Sequence, residues 1–389
     1  MSDFLTRNRL VLAKTEVTSG TDPVPTPVAD AVLVEEPRGT PNMELEQTDE
    51  VTGSLDNTQS IVGGGFMERT QRFFAKGSGV PGTAPEFTPY LQAAAMGMTT
   101  LAADSAGTAQ AGAAGTITLA VAAPATDLTG FVIETTGGTG GAPVQTRVIT
   151  AYNTATKLAT IYPNWTVVPD ATTTYAVRAG NLFVPVSTGL KTITDYLYKI
   201  NSATGDAILE KLVGAAANLS FAMQTRQTGK FTATLRGLLA PPSSVANPTG
   251  AGFDAVRPRP LRDADAWLGG NSVCFRNFTF DLGNDIIQGD CPSAAFGYDP
   301  ARVTNRKPTG RLNPQLLTLA SRNAFADMVA GTPQKLWLNW GETPGNRISL
   351  LLPTLVYTGK EDDDLDGISA DGLPFEAVGQ DSSVYLTFY

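Results

Sequence analysis

The length, composition and charge of the chain exclude several classes of protein. With 389 residues, 42% of them hydrophobic, the sequence can build two or three domains with real cores. The formal charge of −9, with no basic stretch, excludes a protein that grips DNA through Lys and Arg. No apolar run could span a membrane, and charged residues such as Asp3 and Arg7 interrupt the place of a signal peptide, so we expect the protein to remain where it is made.

The N-terminal part begins with an extended arm, residues 1–30, in which Pro23, Pro25 and Pro27 disfavour helix. Arms of this kind commonly become ordered only against a neighbouring subunit. A helix is predicted from Pro85 to Met96, with its prolines in the first turn. Strands are predicted at Ala31–Glu36, Met43–Thr48 and Glu68–Ala75, with a polar loop from Asp49 to Gly65.

Residues 105–180 differ in composition, being rich in Thr, Ala and Gly, and they predict a small all-β module inserted into the main chain. The glycines at Gly137-Gly138 and the polar stretch Asn153–Thr156 indicate turns between its middle strands. Its predicted strands are Thr116–Ala120, Phe131–Thr136, Val144–Tyr152, Lys157–Tyr162 and Thr174–Arg178.

Residues 181–245 return to the first pattern, so the first β domain is predicted to comprise residues 31–104 and 181–245. Strands are predicted at Leu190–Ile200, Ala217–Arg226 and Gly229–Leu239. The last two form a hairpin that turns at Gln227-Thr228-Gly229. A linker rich in Pro, Gly and Asn follows at residues 246–264.

Residues 265–389 are predicted to form a second β domain. Its helix, Pro314–Ala330, has Asn313 as N-cap, Pro314 at the first helical position and Gly331 just past the end. The remaining predicted elements are strands Ser272–Leu282 and Arg302–Gly310, the loop Gly289–Pro300, and strands Lys335–Trp340, Ile348–Thr358 and Phe375–Phe388.

Both halves have the same order of elements: a strand, a long polar loop, a second strand, a helix and a closing set of strands. Identity between the halves is weak, but the shared order suggests an internal duplication. The low charged share of 17% and the abundance of small and turn residues also favour short strands over long helices. The predicted fold is therefore mainly β, with two similar domains that each carry a helix, and a small inserted β module.

The complete absence of histidine argues against an enzyme. Most Ser and Cys nucleophiles need an imidazole base, and His is the commonest general acid–base. Chemistry with carboxylates alone, as in glycoside hydrolysis, survives this objection, but the 37 acidic residues single out no pair. No nucleotide-binding glycine loop or nucleophile elbow is present. We expect no catalytic residues and no cofactor.

The acidic run Glu361–Gly367 is the nearest approach to a metal site. Asp362, Asp364 and Asp366 match the opening of an EF-hand calcium loop, but Leu373 occupies the position of its closing glutamate. A solvated acidic turn is the favoured interpretation, with these three carboxylates as weak metal candidates.

The two cysteines, Cys274 and Cys291, flank a predicted hairpin turn at Gly283-Asn284. Two separate thiols are favoured in a reducing cytosol, and a disulfide between them stays open as the alternative.

Six aromatic residues could suggest a stacking platform for bases or sugars. Phe278 and Phe280 share one strand face, as core residues do, and basic partners are sparse, so a core role is favoured. The set consists of Trp267, Trp337, Trp340, Phe275, Phe278 and Phe280.

Several motifs, in order along the chain, resemble the major tail tube proteins of siphophages. The similarity covers most of the chain outside residues 105–180, and the order of the motifs carries it more than any single one. The motifs are Asn8-Arg9-Leu10, Glu16 to Pro25, Ala31 to Pro37, Lys76-Gly77-Ser78-Gly79, Gly82 to Phe87, Leu91-Gln92-Ala93-Ala94, Pro185 to Lys191, Phe278 to Asn284 and Pro308-Thr309-Gly310.

The resemblance implies β-sandwich or barrel domains, each with a flanking helix, whose sheets join laterally into rings that stack into a hollow tube. A duplicated chain implies a trimer that mimics six-fold symmetry, with the insert on the outside and an acidic-lined conduit for DNA. It also implies the virion tail as location, assembly in the host bacterial cytoplasm, and other tail proteins (tape measure, distal tail and terminator proteins) as partners.

Two alternatives remain open. The chain could be another tail component, such as a distal tail or tube terminator protein, which would form one ring without stacking. It could also be a glycan-binding adhesin, although the β-helix repeats and coiled-coil segments usual in adhesins are not evident.

Overall fold

The computed structural model describes residues 4–389 and is mainly β, with 51% of residues in strands and 5% in three helices. This confirms the predicted fold class at that level. The α-helices are α1 Pro27–Asp30, α2 Thr88–Ala93 and α3 Ala324–Ala330.

The part of the chain before the insert forms the first strands of the main sheet assembly, and the part after the insert completes its N-terminal half. Before the insert lie β1 Phe4–Thr15, β2 Ala31–Val32, β3 Glu35–Glu46, β4 Ile61–Phe74 and β5 Met96–Leu101.

The insert forms a separate seven-stranded antiparallel sheet with its own hydrophobic core around Ile133, Ile149 and Trp165. Each of the five strands predicted for residues 105–180 is present, with small shifts at the ends. The strands are β6 Ser105–Thr108, β7 Ala111–Ala113, β8 Thr116–Thr118, β9 Val132–Gly137, β10 Thr146–Asn153, β11 Leu158–Tyr162 and β12 Thr174–Val177.

The remaining strands return to the main assembly. The predicted hairpin of Ala217–Arg226 with Gly229–Leu239 is confirmed, because Ala222 pairs with Lys230 across that turn. These strands are β13 Gly180–Pro185, β14 Ile193–Asn201, β15 Asp206–Gln224, β16 Lys230–Leu239, β17 Ser243–Ala246, β18 Asp265–Leu268, β19 Asn271–Ser272, β20 Phe275–Asp281, β21 Asn284–Ile287, β22 Arg302–Arg306, β23 Thr309–Pro314, β24 Gln334–Trp340, β25 Ile348–Tyr357, β26 Glu361–Asp364, β27 Ser369–Ala377 and β28 Tyr385–Phe388.

One uninterrupted run of eight antiparallel strands crosses both halves of the molecule, in the order β3, β4, β16, β15, β20, β23, β27 and then the end of β25, which continues into β26. A single row of paired residues traverses it: Glu35, Arg72, Thr232, Ser220, Asp281, Thr309, Glu376 and Val356. Strands from the two halves meet at the pairing of β15 with β20.

The two halves also share one hydrophobic core. Phe221 stacks on Trp340 with ring centroids 6.1 Å apart, and Phe87 contacts Phe388 edge to face at 5.4 Å. The linker predicted at residues 246–264 therefore stays a prediction from the sequence. The two domains predicted on either side of it are hydrogen-bonded to each other and share one hydrophobic core.

The helices are shorter than predicted. The second half's helix occupies only Ala324–Ala330, because residues 309–314 belong to β23, so Asn313 and Pro314 are strand residues and not a cap. The cap is Asn323, whose side chain accepts from the amide of Ala326, while Gly331 ends the helix as predicted, with a positive φ of 61°. The first helix occupies Thr88–Ala93 instead of Pro85–Met96, because the chain enters β5 at Met96.

The N-terminal arm is not a free segment. Strand β1 pairs with β14 from Arg9 to Thr15, and its residues 10–13 are buried. Glu16 is buried and accepts hydrogen bonds from Thr192, Thr194 and the amide of Gly214. The expectation that residues 1–30 become ordered only against a neighbouring subunit is therefore wrong for residues 4–16, which complete this chain's own sheet.

Candidate functional site

The acidic run Glu361–Gly367 forms the tip of a β-hairpin. Leu365 and Ile368 exchange backbone hydrogen bonds, and between them Asp366 and Gly367 both have positive φ, of 57° and 91°. Two consecutive positive φ values with an Asp-Gly sequence define the type I′ turn that fits the twist of paired strands. The match to a calcium loop therefore reflects turn chemistry.

The candidate metal ligands of this run have other partners. Asp362 pairs with Lys360 at 3.0 Å, Asp366 pairs with Arg276 at 3.0 Å, and Asp364 accepts the amide of Gly367. Nowhere in residues 4–389 are three acidic or thiol groups arranged to hold a metal ion.

Both cysteines are free thiols in this structure. The hairpin predicted between them at Gly283-Asn284 is wrong, because β21 leaves β20 and pairs with β22 instead. Cys274 is exposed, and Cys291 lies in the loop after β21 with its Sγ 3.2 Å from the Oγ of Ser293.

The aromatic residues belong to the core, as predicted. Trp337, Trp340 and Phe278 are fully buried, and Phe280 is buried as well, so these rings offer no stacking platform. Trp267 and Phe275 are only partly buried and pack against the edge of the same clusters.

A buried polar network lies beneath the eight-stranded run. The guanidinium of Arg69 pairs with the carboxylate of Asp195, which also accepts from Tyr90 at 2.6 Å and from the amide of Gln71. Burial, and then the adjacent Asp195, raise the pKa of Tyr90 well above its ordinary value, so Tyr90 remains a neutral donor. The side chains of Arg69 and Asp195 have no solvent exposure, so this network supports the fold and cannot meet a substrate.

The features of the surface that stand out are the two ends of the eight-stranded run. Strand β3 pairs only with β4, and β26 pairs only with β27, among residues 4–389. Open strand edges present unpaired N–H and C=O groups that can take up another strand. Sequence reasoning missed this role of β3, although Pro37 and Pro41 within the strand are typical of an edge.

The hairpin of β3 and β4 carries exposed apolar side chains towards its tip. Val51 and Leu55 in the connecting loop are fully exposed, and Leu45, Ile61 and Val62 are more than half exposed. Such a cluster on a projecting loop is typical of a contact surface.

A groove of about 1130 Å³ lies beside the N-terminal end of β3. Its charged lining residues are Arg7, Arg9, Arg38, Arg72, Lys230, Glu35 and Glu36. Lys230 is held by Glu35 at 2.9 Å and Arg38 by Glu36 at 3.4 Å, while Arg7 and Arg72 have no ion pair among residues 4–389. The groove is therefore basic within an acidic protein, and no sequence signal reveals it because its cations come from four separate segments.

Within residues 4–389 no helix is long and apolar enough to cross a membrane. Comparison with models of known protein families and with curated proteins finds no match to this chain.

Proposed function

We propose that this chain is a structural subunit of a tailed-bacteriophage tail tube, which assembles into stacked rings around a channel for DNA. The observation that carries the proposal is the eight-stranded run with an open edge at each end. In a monomer such edges are an aggregation hazard, whereas in a ring subunit they are the means by which each copy joins the next. The motifs that resemble siphophage tail tube proteins support the same function.

The hairpin of β3 and β4 supports stacking of the rings. Its exposed Val51 and Leu55 have no partner within residues 4–389 and would become buried against the next ring. A terminator or distal tail protein needs only one ring, so a projecting apolar loop favours the tube subunit.

The exposed face of the eight-stranded run supports a conduit that does not hold DNA. Directly paired residues at its centre are small and polar, for example Thr232, Ser220 and Thr309, and its charged residues include both signs, such as Arg72 and Glu376. Apart from the groove beside β3, the row of paired residues that crosses this face holds one cation, Arg72, and three carboxylates, Glu35, Asp281 and Glu376. The net charge of −9 also repels phosphates.

The recurrence of one element order in both halves supports a trimeric ring that mimics a hexamer. We further propose the virion tail as the location, assembly in the host bacterial cytoplasm, and tape measure, distal tail and terminator proteins as partners. The proposed role requires no catalytic residues and no cofactor.

Negative-stain microscopy of the purified full chain tests the proposal. We expect hollow tubes of stacked rings whose end views show three-fold or pseudo-six-fold symmetry. Single rings that never stack would favour a terminator or distal tail protein, and a monomer at all concentrations would overturn the proposal.

A glycan-array measurement separates the remaining alternative. An adhesin would bind defined glycans as a soluble oligomer, whereas a tube subunit is expected to bind none.

A further inference from the structure

The hairpin of β3 and β4 has a hinge at the base of its exposed tip. The register of the two strands shifts between Glu44 and Leu45, so Gly63 has no partner among the paired residues of β3. An extra unpaired residue of this kind is a β-bulge, which bends a hairpin locally. Three glycines in succession, Gly63–Gly65, add backbone freedom at the same level. The direction of the tip is therefore decided at this level.

A segment of the second half lies across the hinge. This segment, residues 288–301, is the strap, and it connects β21 to β22. Its backbone folds back on itself, because the amide of Cys291 donates to the carbonyl of Gly297 at 2.7 Å and the amide of Asp299 donates to that of Gly289 at 2.8 Å. The strap is thus a short hairpin with its own hydrogen bonds.

Both ends of the strap are anchored to the first half. At its start the side chain of Gln288 accepts a hydrogen bond from Arg236 of β16 at 3.2 Å. The guanidinium of the same Arg236 lies 3.8 Å from the centroid of the Phe66 ring in β4. At its end the buried Ala301 donates to the carbonyl of Gly214 in β15 at 2.9 Å. These anchors hold the middle of the strap against β3 and β4.

The middle of the strap contacts both strands of the hinge. The carbonyl of Phe296 accepts a hydrogen bond from the amide of Gly65 at 3.2 Å, and the hydroxyl of Tyr298 donates to the carboxylate of Glu44. The ring of Tyr298 meets Phe66 edge to face, with centroids 5.8 Å apart. The strap therefore holds β3 through a side chain and β4 through its backbone and a ring.

We propose that the strap is a hinge lock, which fixes the direction of the β3–β4 hairpin before its tip meets the next ring. The inference rests on the proposed tail tube function and identifies what controls its stacking element. A mobile loop loses conformational entropy when it docks, whereas a loop already held by its own chain avoids part of that cost. Releasing the strap should therefore leave ring formation unchanged and weaken stacking.

Tyr298→Ala tests the lock, because it removes the hydrogen bond to Glu44 and the edge contact with Phe66. Tyr298 is only partly buried, so the variant is expected to fold. We expect rings to form as in the parent, and the concentration needed for stacking to rise about tenfold, since one aromatic contact and one hydrogen bond are lost. Sedimentation and electron microscopy measure both steps. The matched control, Tyr152→Ala, removes a partly buried tyrosine of the insert that donates to the carbonyl of Pro124 at 3.0 Å, and should stack as the parent does.

Two glycine variants separate a hinge lock from a contact that only supports the fold. A Cβ at Gly63 would lie 3.8 Å from the carbonyl oxygen of Glu44, an ordinary contact, so Gly63→Ala stiffens the hinge without a clash. A Cβ at Gly64 would lie only 3.0 Å from the carbonyl oxygen of Phe296, so Gly64→Ala pushes the strap away. We expect Gly63→Ala to restore part of the stacking lost in Tyr298→Ala, and Gly64→Ala to weaken stacking by itself.

A distance measurement follows the hinge directly, at concentrations below those at which rings form. In a Cys274→Ser, Cys291→Ser background, spin labels are attached at Leu55→Cys on the tip and at Thr234→Cys on β16, both of which are exposed positions. Pulsed electron paramagnetic resonance then gives the distribution of distances between them. We expect a narrow distribution in the parent and a wider one in Tyr298→Ala.

The outcomes separate the two proposals. Normal stacking of Tyr298→Ala, whatever the distances, would overturn the hinge lock while leaving the tail tube function intact. Loss of rings together with stacking in that variant would also overturn the lock, because the strap would then serve the fold or the ring. A parent chain that never assembles would overturn both proposals.

Discussion

At the scale of single residues, the most constrained group in this protein is the ion pair of Arg69 and Asp195. Both side chains are fully buried, and the Nε of Arg69 has no hydrogen-bond partner. A buried pair of this kind adds little net stability over apolar residues, but removing one member leaves an uncompensated charge. The pair joins β4 to β14 and, through Tyr90, to α2.

We expect Asp195→Ala to lower the free energy of unfolding by about 3–5 kcal/mol, because the buried Arg69 guanidinium then loses its close counter-charge and keeps only Glu210, at 3.9 Å. Denaturant unfolding followed by circular dichroism measures the loss. The double variant Arg69→Met, Asp195→Leu should lose less than Asp195→Ala alone, and a larger loss in the double variant would contradict this account.

The residues that the sequence offered as metal ligands or as a disulfide have local structural roles instead. Asp366 occupies a turn that needs positive φ, and Cys274 and Cys291 are free thiols. Their sequence patterns resembled a calcium loop and a cross-strand disulfide because turns and strands use the same residue types as those sites.

At the scale of elements, β3 is a long edge strand with features that oppose uncontrolled pairing. Pro37 and Pro41 remove backbone donors, and Glu44 and Glu46 add charge towards the tip. Natural edge strands use proline and charge to prevent random association.

We expect the loop between β3 and β4 to hold neighbouring rings together. Replacing Val51 and Leu55 by Ser should leave the fold unchanged, because both side chains are fully exposed, but should convert tubes into unstacked rings. Electron microscopy and sedimentation measure the change. The matched control replaces Val121 and Val144, two exposed valines of the insert, by Ser and should still give tubes; equal loss of tubes in both variants would refute a specific role for the loop.

At the scale of the whole molecule, the insert is an independent sheet that is nevertheless tied to the main body. Trp337 and Leu351 pack against Val148 of the insert, Tyr162 donates to the carbonyl of Lys335, and Arg347 pairs with Glu134 at 2.7 Å. The insert leaves and re-enters through neighbouring strands, since Leu101 pairs directly with Gly180.

This geometry allows a clean excision. Replacing residues 102–179 by an Asn-Gly turn should close β5 and β13 into a hairpin and retain tube assembly, with a thinner outer wall in micrographs. Thermal unfolding should occur at lower temperature, because each large apolar side chain uncovered, such as Trp337, costs about 1.5–3 kcal/mol. A folded variant that no longer assembles would show that the insert takes part in the ring.

The mainly-β class and most strand positions were predictable from the amino-acid sequence. Alternating apolar residues, turn chemistry and the change in composition at residues 105–180 are local signals, and the structure retains them. The end of helix α3 was also predictable, because Gly331 favours the left-handed conformation found there.

Which strands pair and which edges stay open became known only from the three-dimensional fold. The joining of β15 to β20, the incorporation of β1 into the sheet and the collection of Arg7, Arg72 and Lys230 around one groove all depend on contacts between distant segments. The predicted start of the helix at Pro314 failed for the same reason, since pairing of β23 with β20 and β27 outweighs local helix signals. Strand pairing depends on contacts between residues that are distant in sequence. The residue pattern of one strand therefore does not identify the strand with which it pairs.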